Sequence, residues 1–176
     1  MQFSMRILRL AALLLPAVRA INMTFYNPQC GVDYAFGPFY EELLFQAETP
    51  TSGSNFTDFF TPNGTLAVLN NTASGIENVG VLMDAMLPDD GSVVWNHYPN
   101  ITFVANETDT IKTYQLNGIL HIVAAGECST TYFSTRFTVT KNLMTGIPNL
   151  QSHSGSLVEY NGFRVDASED PCFARY

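Results

Sequence analysis

Residues 93–139 hold the pattern that most restricts what this chain can fold into. Three segments, WNHYPNITFVANET, IKTYQLNGILHIVAAG and TTYFSTRFTVTKN, alternate or mix apolar and polar residues, with Asn, Thr, Asp and Gly-Glu-Cys breaks between them. Such runs, rich in β-branched and aromatic residues, predict antiparallel strands joined as a meander. The same segment carries two of the three histidines, His97 and His121. Any small-molecule chemistry is expected on the inner face of that sheet.

Upstream the period changes. Phe36, Phe39, Tyr40, Leu43, Leu44 and Ala47 recur at spacings of three and four, with Glu41, Glu42 and Glu48 between them. This predicts a helix with Pro38 at an early position, where a missing N–H costs nothing, and an end before Pro50. Phe56, Phe59 and Phe60 point to a short second helix, Thr61-Pro62-Asn63-Gly64 to a turn, and residues 65–69 to a strand. Ser74-Gly75-Ile76-Glu77 reads as a capping box opening a third helix. Its stripe is Ile76, Val79, Met83, Met86 and Leu87, and Pro88-Asp89-Asp90-Gly91 stops it. Residues 142–155 read as a loop and 157–165 as a last strand. Helices followed by a curved sheet make an α+β layout with the helices on one face.

The first twenty residues read as a secretory signal peptide. Arg6 and Arg9 precede the apolar run 10–15, Pro16 breaks it, and Val18-Arg19-Ala20 supplies small residues at a cleavage site. A mature single domain over residues 21–176, secreted or in a secretory lumen, is expected. Six Asn-x-Thr sequons fit that compartment: Asn22, Asn55, Asn63, Asn70, Asn100 and Asn106. Each marks an expected surface position, because a glycan cannot be buried. The run 10–15 is too short to span a membrane, and no later stretch approaches ~18 consecutive apolar residues. Without the signal, five Lys and Arg face sixteen Asp and Glu, and the formal net charge moves from -8 to -11. So acidic a body repels phosphate backbones and anionic lipid, which sets nucleic acid and membrane surfaces aside as partners.

Three cysteines, Cys30, Cys128 and Cys172, allow one disulfide and leave one thiol. Their spacing does not fix the pair; Cys30 with Cys172, near the two ends of the mature chain, is the pairing expected. No nucleophile motif surrounds any of them.

The order of elements and certain residues resemble the NTF2-like superfamily, within it the SnoaL-like and scytalone-dehydratase-like branch. Asp58-Phe59-Phe60-Thr61-Pro62-Asn63-Gly64-Thr65-Leu66 is similar to that family's passage from second helix to first strand. Gly75-Ile76-Glu77 is similar to its third-helix start, and Asn96-His97-Tyr98-Pro99-Asn100 to its His-containing segment before the long strands. The likeness spans roughly residues 36–165. It implies a cone, a bent sheet wrapped around helices, with a pocket at the wide end. Members include dehydratases, isomerases and cyclases acting on polyketides or terpenoids, and proteins with no catalysis. Scytalone dehydratase sets one histidine in the first long strand region and another in the next, both facing the pocket; His97 and His121 are similarly placed. It also uses an Asp and tyrosines, where this chain offers Glu48 and no tyrosine in residues 65–69.

Side-chain parity offers a separate reading. If Asn100 and Asn106 carry glycans, even positions face out, and Ile101, Phe103 and Ala105 face in, with His97 following if no bulge intervenes. In the next strand Ile119, His121, Val123 and Ala125 share one face, and Leu120, Ile122 and Ala124 the other. Both faces are apolar, so parity leaves the direction of His121 open. Two inward imidazoles would make an acid/base pair near neutral pH. Glu48, Tyr114, Asn117, Tyr132 and Phe103 are the candidates for orienting a substrate; each also has an ordinary core or surface reading. Asp33 and Tyr34 are within reach of a pocket mouth. No HExxH, paired-Cys, Gly-rich phosphate loop or G-x-S-x-G pattern occurs, and His153-Ser154-Gly155-Ser156 reads as a turn. Neither a metal nor a cofactor is therefore expected. The expected function is cofactor-free proton transfer (isomerisation, cyclisation or dehydration) on a small, polycyclic natural product. The alternative is a secreted ligand-binding or interaction protein. Homodimerisation stays open, since glycans at Asn100 and Asn106 would crowd the outer sheet face.

Overall fold

A computed structural model describes residues 21–50, 52–170 and 172. The expected signal peptide, residues 1–20, lies outside the described residues. The elements run β1 (Asn27–Pro28), α1 (Phe36–Ala47), α2 (Gly53–Thr57), β2 (Phe60–Val68), β3 (Asn71–Ser74), α3 (Ile76–Met86), β4 (Val93–Glu107), β5 (Ile111–Ala124), β6 (Glu127–Thr140) and β7 (Leu157–Ser168). They form one seven-stranded sheet in the order β1-β4-β5-β6-β7-β2-β3. The predicted meander lies at its centre, with β4, β5, β6 and β7 each antiparallel to the next. The two flanks are parallel additions, β1 on β4 and β2 on β7. The sheet is therefore mixed.

One face of this sheet receives α1, whose apolar stripe buries Phe36, Phe39, Tyr40, Leu43, Leu44 and Ala47. The Phe36 ring stacks on Tyr114 of β5 at 4.0 Å, and Tyr40 meets Phe137 of β6 edge-on at 5.1 Å. Each such aromatic pair contributes ~0.5–1.5 kcal/mol beyond its area. Phe59, Phe60, Leu66, Val79 and Leu157 join the same core. This is the inner face. Gly118 lets it close, because a Cβ there would stand 2.6 Å from Phe133 Cζ and 2.7 Å from the Tyr98 carbonyl.

Three local expectations give way. The Thr61-Gly64 turn is absorbed into β2, where four residues of β2 stand against one of β7 between the Phe60 and Thr65 pairings. The capping box does not form: Gly75 is the N-cap at φ 82°, with no side-chain cap. Ser74 Oγ instead meets Thr65 Oγ1 at 3.1 Å across the β2–β3 hairpin, which claims the serine first. The disulfide joins Cys128 to Cys172, and Cys30 is a free, exposed thiol. The β5–β6 turn carries Cys128 to the end of the sheet reached by the tail, 6.1 Å from Cys172 between Cα atoms. That separation suits a bridge. Among the described residues no helix is long and apolar enough to cross a membrane.

Candidate functional site

Strand pairing settles which histidine faces where. Directly opposed residues in an antiparallel pair share a face. His97 stands opposite Leu120, and Asn96 opposite His121. His97 therefore shares the inner face with Trp95 and Leu120, both packed against the core. His121 lies on the other side with Tyr98, whose ring it meets at 4.9 Å. The expected His97–His121 acid/base pair is divided by the sheet. Its members cannot act on one bound molecule.

The partner that His97 does have is Glu48. The carboxylate follows the last turn of α1, and its Oε1 lies 3.0 Å from His97 Nδ1. The same oxygen accepts the His97 backbone N–H at 2.5 Å. Both side chains are nearly withdrawn from water, at 7% and 10% exposure. An acid at a helix C-terminus sits against the macrodipole, so the helix alone does not favour it there; the two donors from His97 hold it. With Nδ1–H directed at a carboxylate, the neutral ring keeps its lone pair on Nε2. That makes His97 a base or, once protonated, an acid whose charge Glu48 offsets.

The surroundings are aromatic. Trp95 and Phe133 meet the His97 ring edge-on at 6.2 and 5.5 Å. Tyr40 and Tyr160 are electrostatic neighbours of Glu48. Burial pushes the Tyr40 hydroxyl well above the ordinary phenol range, with Tyr160 and Glu48 adding to it. Tyr160 is raised likewise, by burial and then by Glu48. Tyr40 Oη is buried without a hydrogen-bond partner among the described residues. Sequence reasoning read Tyr40 only as part of a helical stripe and passed over Tyr160; their connection with Glu48 is a matter of tertiary packing.

The other candidates disperse. Tyr114 is inward but donates to Asp33 Oδ2 at 2.6 Å, and Lys112 Nζ reaches the same oxygen at 2.6 Å. This makes Tyr114 part of an ionic cluster that ties residue 33 to the sheet. Tyr34, beside it, is fully in solvent at 96% exposure. Phe103 pairs with Gln115, on the outer face. The reason is a pair of β4 irregularities, between Pro99 and Thr102 and between Val104 and Asn106. Each inserts one residue and reverses parity. Asn100 and Asn106 are thus both exposed, as expected, while Ile101 is 43% exposed and Thr102 fills the core-facing place. All six sequon asparagines are exposed.

Asn117 and Tyr132 also lie outside, lining a groove of about 540 Å³ with Gln115, Ser134, Phe163 and Arg164. Asn117 accepts from Ser134 Oγ at 2.5 Å, and Tyr132 donates to Asp170 at 2.7 Å. His153 holds a turn, its Nδ1 3.0 Å from the Asn55 carbonyl.

No known family model matches the chain, and no curated protein sequence does. Solved structures do. ActVI-ORFA from Streptomyces coelicolor matches with a TM-score of 0.55 at 12% identity, over 77% of this chain and 96% of that one. A Novosphingobium aromaticivorans protein provisionally described as a scytalone dehydratase matches with a TM-score of 0.53 at 8% identity, over 80% and 87%. The fold is NTF2-like. The orange carotenoid protein of Anabaena, in a structure binding canthaxanthin, shares it with a TM-score of 0.53 at 9% identity, over 88% of this chain and 41% of that one. At such identities the likeness concerns the NTF2-like frame; function has to be argued from the side chains it carries.

Proposed function

We propose that this NTF2-like chain binds a small apolar molecule, a polyketide- or terpenoid-like ring system, against the inner face beside His97, and moves a proton on it without a cofactor. The observation that carries this reading is the buried Glu48–His97 dyad, with one carboxylate oxygen receiving both Nδ1–H and the backbone N–H of the same histidine. In the reaction, His97 Nε2 takes a proton from carbon next to a carbonyl, and Glu48 stabilises the imidazolium that forms. Return of the proton to another carbon isomerises the skeleton; its delivery to a leaving hydroxyl expels water. A positioned base of this kind accelerates a step by ~10²–10⁴-fold. The Tyr40 hydroxyl, kept protonated by burial, is a donor for the developing enolate oxygen.

A second reading is a ligand-binding protein without turnover. It draws support from the carotenoid-binding protein that shares the fold. For both readings we propose a single domain over residues 21–176 that is exported and glycosylated. The six exposed sequons and the disulfide support this compartment. Enzymatic deglycosylation should lower the mass of the exported protein.

Native mass spectrometry, followed by extraction and identification of any retained compound, tests the reading. A retained ring compound that wild type converts, and His97→Ala binds without converting, is the expected result. Equal conversion by the variant overturns the proton-transfer role, and binding with no conversion by either protein selects the second reading.

A further inference from the structure

On the outer face, with the sheet between them and the Glu48–His97 pair, His121, Cys128 and Cys172 place one imidazole nitrogen and two sulfurs within 4.8 Å of one another. His121 and Cys128 belong to adjacent strands: His121 pairs with Thr130 and Val123 with Cys128, which sets the two side chains diagonally on one face. Cys172 arrives from the tail. Thr130 Oγ1 lies 3.9 Å from its sulfur. His121 is 3% exposed, whereas Cys128 is exposed and open to a soluble reductant.

We propose that this trio is a redox-gated site for a thiophilic divalent cation, Zn²⁺ by class, closed while the disulfide is intact and formed when it is reduced. The chemistry favours a d¹⁰ ion of borderline softness. Two thiolates and one imidazole are three of the four ligands of a tetrahedral zinc site, with water or a fourth donor completing it. Zinc–sulfur bonds of ~2.3 Å and zinc–nitrogen bonds of ~2.0 Å set ligand atoms roughly 3.5–3.8 Å apart in a tetrahedron. The three donor atoms already lie within 4.8 Å, so the sulfurs need only separate after reduction.

The step balances. A monothiol reductant R–SH of the glutathione class, two molecules per site, reduces the Cys128–Cys172 bond to two thiols and leaves as R–S–S–R. The cation then displaces one proton from each thiol and takes the neutral His121 ring. Cation occupancy in turn keeps both sulfurs reduced, so the two states exclude each other. No sequence pattern announces the site, because its third ligand lies 44 residues beyond the second.

The test uses the full mature chain carrying Cys30→Ser, which removes the unrelated exposed thiol. It is titrated with Co²⁺ under a phosphine reductant, and the thiolate-to-cobalt absorption band and the tetrahedral d–d bands are recorded. Circular dichroism monitors the fold. Displacement of Co²⁺ by Zn²⁺ gives the zinc affinity. The expected result is one Co²⁺ per folded, reduced chain, none in the oxidised chain, and none in Cys128→Ser. In His121→Ala the affinity should fall more than roughly 100-fold, beyond what the loss of a supporting contact around a metal site costs. Absence of the bands in the reduced chain overturns the proposal. So does a His121→Ala chain that binds as tightly as its parent, or a chain that unfolds on reduction and binds only unfolded.

Discussion

Glu48 Oε1 receives two donors from one residue, the Nδ1–H and the backbone N–H of His97. The geometry fixes at once the ring's tautomer and the position of β4 against the end of α1. In ¹⁵N spectra of the neutral ring, His97 should carry its proton on Nδ1 and leave Nε2 bare. In Glu48→Ala this preference should weaken. Unfolding should also become easier by ~1–3 kcal/mol, the cost of leaving a buried N–H without its acceptor. An unchanged tautomer ratio in the variant would detach the carboxylate from any role in tuning the base.

Asp33 makes a second, independent prediction. Burial works against its charge, but hydrogen bonds from Lys112 and Tyr114 and the Lys112 charge outweigh it and hold the carboxyl below its usual range. A folded-state pKa below the unfolded value of about 3.9 gives stability that is complete above that pH and is lost as pH falls through the folded value. Lys112 is shifted the opposite way: burial opposes its charge, but Asp33 and Glu107 raise it overall. Its contribution is therefore complete below about pH 10 and lost as pH rises through the raised value. Denaturant titrations across pH should show a plateau between these limits. In Asp33→Asn the acid limb should flatten, and neutral stability should fall by up to about 1 kcal/mol, since solvent screens the lost charge.

Tyr40→Phe removes a buried hydroxyl that has no partner among the described residues. Deleting such a group should leave stability unchanged or raise it by ~1 kcal/mol. If the hydroxyl serves a bound molecule, the same variant loses conversion or affinity while its melting temperature holds or rises. A strongly destabilised Tyr40→Phe protein would contradict the unpartnered state of that hydroxyl.

The Cys128–Cys172 bridge closes a loop with a sequence separation of 44. Chain entropy assigns such a link ~2–4 kcal/mol. Cys128→Ser should lose about that amount in urea unfolding at neutral pH, whereas Cys30→Ser should change nothing. Equal losses from both variants would point to rearranged pairing in solution.

The long strands and α1 were legible because their periodicity is set by burial, which the sequence records directly. Residues 65–68 and β7 were legible for the same reason. What stayed hidden depended on register. Leu120 and His121 sit in a strand apolar on both faces, and only the pairing of β5 with β4 decides which of them looks inward. Asn100 and Asn106 are both exposed, as parity required, yet Ile101 and Phe103 between them do not face the core. Two inserted residues restore the parity at Asn106 while reversing it in the middle. Glu48 was singled out by the resemblance, as the acid offered where the dehydratase uses an Asp; its bond to His97 was not, because 49 residues separate them. The disulfide was misread since closeness to a terminus in sequence says nothing about which sheet end that terminus reaches.

The outermost strands are the shortest, two residues in β1 and four in β3. Long strands rich in valine, isoleucine and aromatics would otherwise offer open rows of amides to a neighbouring chain. β1 covers β4 only at Ile101 and Thr102, and carries a proline. Beyond that cover, the free margin of β4 is interrupted by its own two irregularities and by Pro99. The bends that misled the parity reading thus also spoil the template on which a fibril would grow, and straightening them by deleting the extra residue at either place should make the protein more prone to aggregate.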